Sequence, residues 1–304
     1  MTTIDVMLPF WGRADLLREA VESVLAQDDP HWRLTVVDDA YPDPEAAAWV
    51  ADIDDERVHF TRNEENLGVS GSFQLCLDIA REDWVVIFGC DDRMLPGFIG
   101  RMRELVAAHP DVAYLQPGVR VIDEHGDPHL PLGDRLKAHY RLDTDGPQEV
   151  GGEVLTASLL RGNWMYFPAT VWNRAKAARF GFEPAYQIVL DWWLQLDLLF
   201  DGEQALLDPE VTFEYRRHPL QMSTTTAFDV TRFHEEKALV LRTREITRAR
   251  GWRRASRSAT WHESSRLHAL MIVAKLLKAR RLGGTGQLLT HALTNRRPPG
   301  HWPE

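Results

Sequence analysis

The sequence predicts an α/β fold: a mostly parallel, doubly wound sheet flanked by helices, with a C-terminal helical appendage. Three observations carry that prediction. Short apolar runs alternate with helix-period segments from Ile4 as far as His109. Residues 84–88 are continuously apolar, as a strand buried on both faces requires. The acidic pairs Asp38-Asp39 and Asp91-Asp92 each follow such a run, and in a sheet of this class the ligand crevice lies beyond the carboxyl ends of the strands.

Taken in order, residues 4–8 read as a strand, and Asp15 as the cap of a helix whose apolar positions are Leu16, Leu17, Ala20, Val21, Val24 and Leu25. Residues 34–37 form a second strand, Tyr41-Pro-Asp-Pro a turn, and residues 45–50 a helix. A strand over 58–61, a helix over 70–80, the strand over 84–88 and a helix over 96–109 with proline in its first turn follow. Residues 111–121 are a further strand. Residues 123–152, rich in Gly, Pro, Asp and His, read as one long irregular loop. A helix over 153–160 precedes Arg161-Gly-Asn-Trp-Met-Tyr-Phe-Pro, whose aromatics and amide suit either a pocket wall or a plain buried strand. Residues 188–200 are helical and 211–216 are a strand. Beyond Thr226 the pattern is helical only, over 228–248 and 259–282, and Pro298-Pro-Gly closes a frayed tail.

These elements divide the chain into an α/β domain over 1–225, with halves over 1–122 and 123–225, and a basic helical region over 226–304. Charge divides the chain nearby, at 240/241. The 304 residues carry a net charge of −10, yet from Leu241 onward 14 Lys and Arg face 3 Asp and Glu, net +11, while the preceding 240 residues carry 21 against 42, net −21. An acidic average argues against coating nucleic acid. Cys76 and Cys90 make neither a zinc spacing nor a staple, which points to a reducing, cytoplasmic compartment. The start of the chain reads as a buried strand rather than a signal peptide, and residues 267–277 are too short to span a bilayer.

A carboxylate pair after a buried strand, joined by a histidine from a distant strand end, is a hard-ligand set suited to Mg²⁺ or Mn²⁺. Such ions share their sphere with substrate phosphates. Asp91, Asp92 and His218 therefore suggest a nucleotide diphosphate. Asp38 and Asp39 suit hydrogen bonding to a base N–H or to ribose hydroxyls. On the helix over 188–200, Trp192 and Trp193 point about 100° apart, so one enters the core while the other is available to stack on a bound ligand. The arginines Arg242, Arg244, Arg248, Arg250, Arg253, Arg254 and Arg257, with Lys278, Arg280 and Arg281 after an apolar face of Leu267, Leu270, Met271, Val273, Ala274 and Leu277, read in two ways. One is a packed appendage with a solvated basic face; the other is a peripheral contact with an anionic membrane.

Val6-Met-Leu-Pro-Phe-Trp-Gly-Arg-Ala-Asp, Leu34-Thr-Val-Val-Asp-Asp-Ala, Asn66-Leu-Gly, Ile87-Phe-Gly-Cys-Asp-Asp, Leu190-Asp-Trp-Trp and Tyr215-Arg-Arg-His-Pro-Leu-Gln-Met-Ser together resemble glycosyltransferase family 2, in the family's order. The resemblance spans residues 4–223. It implies a GT-A fold and an inverting transfer from a nucleotide diphosphate sugar, UDP- or dTDP-linked, to a glycan or lipid-linked acceptor in cell-surface polysaccharide or glycoconjugate assembly. A natural-product acceptor and a non-catalytic nucleotide-sugar binding module are the alternatives. Carried over, Pro9, Trp11, Asp38, Asp39 and Asn66 would hold the nucleotide. Asp91, Asp92 and His218 would hold Mn²⁺ or Mg²⁺, and Asp91 with Arg216 and Arg217 would meet the diphosphate. Asp191 would be the general base, and Asn163, Trp164 and Trp192 would contact the acceptor. The chain departs from the family pattern at Gly89 and Leu190, where acidic residues are usual. For Gly89 the expectation is that Asp38 substitutes or that metal affinity falls.

Overall fold

The structure, a computed structural model, describes residues 2–218, 230–278, 280, 283–300 and 302. Ser223, Phe228, Arg281 and the boundary expected at 225/226 lie outside the described residues. The strands are β1 (Ile4–Phe10), β2 (Trp32–Asp38), β3 (Val58–Arg62), β4 (Trp84–Ile87), β5 (Arg93–Met94), β6 (Tyr114–Ile122), β7 (Gln148–Gly151), β8 (Val171–Asn173) and β9 (Gln204–Arg216). They join one sheet in the order β3-β2-β1-β4-β8-β6-β9-β5, with β7 paired to β9. β1 is parallel to both β2 and β4, and β2 to β3, whereas β8 runs antiparallel to β4 and β6.

Period-two alternation explains why the central strands read as unbroken apolar runs. Ile4, Val6, Leu8 and Phe10 of β1 enter one core with Val86 and Phe88, and Met7 enters the other with Val85 and Ile87. Polar alternates are few and tied up: Asp5 of β1, fully buried, accepts from the Arg81 and Glu82 N–H groups at 2.5 and 2.7 Å. Pro9 is accommodated because β1 pairs with β4 only as far as Met7–Ile87. Beyond that point its missing N–H costs no ladder bond on that side.

The helices are α1 (Ala14–Leu25), α2 (Glu45–Ala51), α3 (Gly68–Ile79), α4 (Phe98–Ala108), α5 (Leu132–Tyr140), α6 (Gly152–Arg161), α7 (Arg174–Ala177), α8 (Leu190–Phe200), α9 (Val230–Ala249), α10 (Arg253–Trp261), α11 (Glu263–Lys278) and α12 (Thr285–Leu293). Several expectations are corrected. Asp15 lies inside the first turn of α1 and pairs with Arg13, the cap position, rather than capping the helix itself. Pro96 precedes α4, whose cap is Gly97. The segment 123–152 is not one irregular loop: α5 forms within it, with Asp134 and Tyr140 buried, and β7 forms by pairing with β9. The two expected C-terminal helices are four. Gly251 at φ 72° ends α9, and His262 at φ 30° separates α10 from α11, both in the left-handed region that terminates a helix. On α11 the buried face is Ala269, Ile272 and Val273, packed with Phe233, Leu288 and Ala292, while Leu267, Leu270 and Leu277 are exposed.

Candidate functional site

The site begins at the carboxyl end of β2. Asp38, fully buried, accepts from the Tyr41 N–H at 2.7 Å and pairs with Arg62. Its carboxylate therefore stabilises the strand end and does not reach toward Gly89. Asp39 turns the other way. Its Oδ1 accepts from Asn63 Nδ2 at 2.7 Å and Leu67 N at 2.9 Å, and its Oδ2 accepts from Gly68 N at 3.1 Å. A carboxylate has about four acceptor sites, so one remains for a ligand N–H or hydroxyl. Asn66 completes this loop, donating to the Asp39 carbonyl at 3.3 Å and accepting from Gly68 N. Trp11 is half exposed and meets Tyr41 edge-on at 5.3 Å, leaving a ring face open at the end of β1.

Beyond β4, the backbone brings Asp91 and Asp92 beside the end of β9. Asp92 is fully buried; its Oδ1 accepts from Arg216 N at 2.8 Å, and its Oδ2 has no partner among the described residues. Burial first, and the neighbouring Asp91 charge second, hold its carboxyl well above the ordinary carboxylate range. Gly89 is the reason Asp92 fits. A Cβ at 89 would stand 2.4 Å from Asp92 Oδ2. Asp91 meets His218, with Oδ2 2.9 Å from Nε2, and the His218 Nδ1 has no partner among the described residues. Among the described residues no three His, Cys, Asp or Glu side chains converge as a ligand set, so the expected trio assembles only in part: Asp91 and His218 meet, and Asp92 faces inward. The orphaned Asp92 Oδ2 and the Asp91–His218 pair fit a hard divalent cation that takes most of its ligands from phosphate and water.

Arg216 and Arg217 have opposite fates. Arg216, 1% exposed, donates to the Asp91 carbonyl at 2.7 Å, to the Glu124 carbonyl at 3.1 Å and to Glu19 at 2.5 Å. It ties together the chain segments around Asp91 and is not free to grip a diphosphate. Arg217 makes a fork to Asp134, at 3.1 and 2.9 Å, with the Tyr166 hydroxyl donating to the same carboxylate at 2.9 Å. Burial pushes Asp134 up, but Arg217, Lys137 and Tyr166 outweigh it and hold the carboxyl below its ordinary value.

Asp191 sits in the first turn of α8, where its Oδ2 accepts from Asn163 Nδ2 at 3.2 Å. Burial raises its carboxyl above the usual range, against the Trp192 N–H, the Lys137 charge and Asn163. The helix start is itself held by Glu235 of α9, 1% exposed, which accepts from Gln187, Ile188 and Val189 N–H groups between 2.8 and 3.2 Å. Trp164 is buried, donates to Ser158 Oγ at 3.0 Å and walls a cavity of about 520 Å³ with Tyr166. Trp192 corrects an expectation. Both tryptophans are buried, and it is Trp193 that receives a cation, with Arg242 4.1 Å from its ring centroid. The pair faces the core and the C-terminal helices, so neither is open to a sugar.

Glu19, Asn63, Asp134, Lys137, Tyr166 and Glu235 were not singled out from sequence. Tyr166 carried a signal within the stretch 161–168, expected as a pocket wall or a buried strand, and Glu235 carried one as half of an acidic pair in a basic helix.

A doubly wound sheet with carboxylates at successive strand ends defines an α/β protein whose ligand lies across its carboxyl edge. The chain belongs to glycosyl transferase family 2, whose family model matches residues 5–164. The succinoglycan biosynthesis protein ExoO of Rhizobium meliloti is 34% identical over 33% of this chain and 29% of its own length. An uncharacterized Sinorhizobium fredii protein is 29% identical over 46% of this chain, which spans only 15% of that relative. Among solved structures, S. aureus TarS 1-349 in complex with UDP-GlcNAc superposes with TM-score 0.62 at 12% identity, over 96% of this chain and 90% of that one. The mannosyltransferase PcManGT of Pyrobaculum calidifontis, in complex with GDP-Man and Mn²⁺, gives TM-score 0.62 at 15% identity, over 96% and 86%. These likenesses establish the GT-A type of fold.

Proposed function

We propose that the protein is a divalent-metal-dependent, inverting glycosyltransferase that moves a sugar from a UDP- or dTDP-linked donor to an acceptor hydroxyl in cell-surface polysaccharide or glycoconjugate assembly. The catalytic unit is residues 1–225, completed by the helices after 226. One observation carries the reading: Asp39 and Asp91 follow the parallel strands β2 and β4, Asp91 meets His218 from beyond the end of β9, and Asp191 opens α8 within reach of the charge of Lys137, which also acts on the Arg217–Asp134–Tyr166 cluster. The family membership and the UDP-GlcNAc and Mn²⁺ complexes of the structural neighbours support it.

In this reading Trp11 stacks on the base, Pro9 shapes that wall, and Asp39 spends its remaining acceptor site on a base N–H or ribose hydroxyl. Asp91 and His218 would hold Mn²⁺ or Mg²⁺, which supplies charge neutralisation for the leaving diphosphate. Asp191 accepts the proton of the acceptor hydroxyl as its oxygen bonds to the anomeric carbon from the face opposite the diphosphate. The bond from that carbon to the diphosphate oxygen breaks, and its electron pair leaves with the nucleotide. A carboxyl raised by burial is a better proton acceptor than an ordinary one.

The test is release of nucleoside diphosphate from a screen of UDP-, dTDP- and GDP-sugars with Mn²⁺, repeated for Asp191→Asn. Transfer should vanish in the variant with donor binding intact; release from no donor by the parent protein would sink the enzyme reading and leave the binding-module alternative. Among the described residues no helix is long and apolar enough to cross a membrane. The exposed Leu267, Leu270 and Leu277 beside Lys275 and Lys278 support a peripheral membrane contact for a lipid-linked acceptor. Co-flotation with anionic but not neutral vesicles is the expected outcome, and failure to float with either would remove it.

A further inference from the structure

The cavity beside Asp191 has a lopsided chemistry. It lies between β6, residues 128–130, α5 and the Trp164–Tyr166 wall, and its volume, about 520 Å³, is in the range that holds small ligands. Arg120, Lys137 and Arg141 line it against a single carboxylate, Asp134. That carboxylate is already engaged by the Arg217 fork and the Tyr166 hydroxyl. Arg120 is likewise occupied, donating twice to Glu214 at 3.0 and 2.6 Å. Two cations remain. Arg141 reaches only the Asp208 carbonyl, at 3.5 Å, and the Lys137 ammonium lies 4.6 Å from the Tyr166 ring centroid. Among the described residues neither has a carboxylate within the 4.0 Å of an ion pair. Burial, then the Arg217 charge, push the Lys137 ammonium down to about 8. The Asp134 and Asp191 charges oppose that shift without pairing with the ammonium, and an anion docking beside it adds a counter-charge within reach.

We propose that this cavity is a subsite for an anionic acceptor sugar, one bearing a carboxylate or a phosphate that sits between Lys137 and Arg141 while the sugar ring rests against Tyr166. The proposal builds on the reading of Asp191 as the base, since the cavity is joined to that residue through Asn163-Trp164 on one side and the Lys137 charge on the other. A neutral sugar would displace water from two cations and leave both unpaired, a loss that an anion turns into charge-assisted hydrogen bonds. The aromatic wall contributes apolar contact and orientation; the cations contribute selectivity.

Calorimetric titration of the full chain in the presence of UDP separates the possibilities, with D-glucuronate, D-glucose 6-phosphate and D-glucose as probes and Lys137→Met and Arg141→Met as variants. At least one anionic sugar should bind about tenfold or more tighter than glucose. That preference should collapse in Lys137→Met and weaken in Arg141→Met, with UDP affinity and melting temperature unchanged. The preferred anionic probe identifies the source, carboxylate or phosphate. Equal binding of all three sugars, no binding of any, a preference that survives both substitutions, or loss of UDP affinity in Lys137→Met would each overturn the proposal. The base reading fails separately: Asp191→Asn would then still transfer sugar while the anion preference persisted.

Discussion

Gly89 offers the most direct test of how the acidic rim is built. In Gly89→Ala the new Cβ would lie 2.4 Å from Asp92 Oδ2 and 3.2 Å from Asp91 Oδ1. Ordinary contact begins near 3.4 Å, so the Asp92 carboxyl must retreat by about 1 Å in a packed interior. Its other oxygen is fixed by the Arg216 N–H at 2.8 Å, and a movement of that size breaks the bond. Overpacking costs about 1–3 kcal/mol, and leaving the buried Arg216 N–H without its acceptor about 1–3 kcal/mol. Because the two are alternative ways of relieving one clash, we expect a loss of about 1–3 kcal/mol rather than their sum. In an Asp92→Ala background the clash has no partner, so the same alanine should cost less than about 0.5 kcal/mol, the range of an independent site. Urea unfolding followed by fluorescence of the tryptophans supplies the four free energies of the cycle. An equal cost of Gly89→Ala in both backgrounds would refute the argument and with it the idea that glycine stands at 89 to admit an inward Asp92.

Two further outcomes follow from buried charges. Burial and the Lys237 charge push His262 down to about 2 and His291 down to about 4, against an ordinary 6.5. Both are therefore neutral when folded but protonated when unfolded as pH falls from 6.5 toward 4, and stability should drop by about 1.4 kcal/mol per pH unit for each; a flat unfolding free energy between pH 6.5 and 5 would contradict this. Removing the Glu235 carboxylate, as in Glu235→Ala, strands the N–H groups of Gln187, Ile188 and Val189, which costs about 1–3 kcal/mol. It should also lower kcat with little change in donor KM, because the turn it holds delivers Asp191, and Glu235→Gln, which keeps one acceptor oxygen, should recover part of the rate; unchanged kcat in the alanine variant would remove Glu235 from the reaction.

The parallel half of the sheet was legible because β1, β2 and β4 are buried on both faces and are mostly apolar, with buried exceptions such as Asp5 and Thr35. The antiparallel strands β5, β7 and β8, of two to four residues, carry too few positions for any period to register. α5 was illegible for a different reason: its sequence is polar, and it is held by Asp134 and Tyr140 meeting partners far along the chain. The same holds for the site. Asp39, Asp91 and Asp191 stood out through strand ends and motif order, whereas the partners that decide their behaviour are 124 residues away for Asp92 and Arg216, 83 for Asp134 and Arg217, and 28 for Asn163 and Asp191. Arg216, the last residue of β9, and Arg217 just beyond it stood side by side in the sequence, which did not tell that one would become a strut and the other half of a fork.

The charge asymmetry of the chain takes on a different meaning once its helix ends are examined. Divided at 225/226, the chain carries 19 Lys and Arg against 39 Asp and Glu before the boundary and 16 against 6 after it, and net charges of −20 and +10 suggest two bodies held by bulk attraction, with arginines to spare for solvent. Instead the two parts exchange carboxylates at helix starts. Glu235, in the basic part, accepts the N–H groups leading into α8, and Glu153, in the acidic part, accepts the Arg254 and Ala255 N–H groups that open α10. Each carboxylate meets the positive end of a helix dipole, where such a charge is worth up to about 2 kcal/mol when partly buried. Arg242 closes over Trp193 and Arg250 lies 5.7 Å from Phe200, both on α8. These contacts are short-range and partly sheltered, so salt should weaken them less than it would a bulk attraction between opposite charges. The helix that presents Asp191 is thus clamped at its start by one glutamate and along its back by two arginines from beyond residue 226. A cut at the expected boundary would separate the carboxylate proposed as the base from the groups that hold it in place.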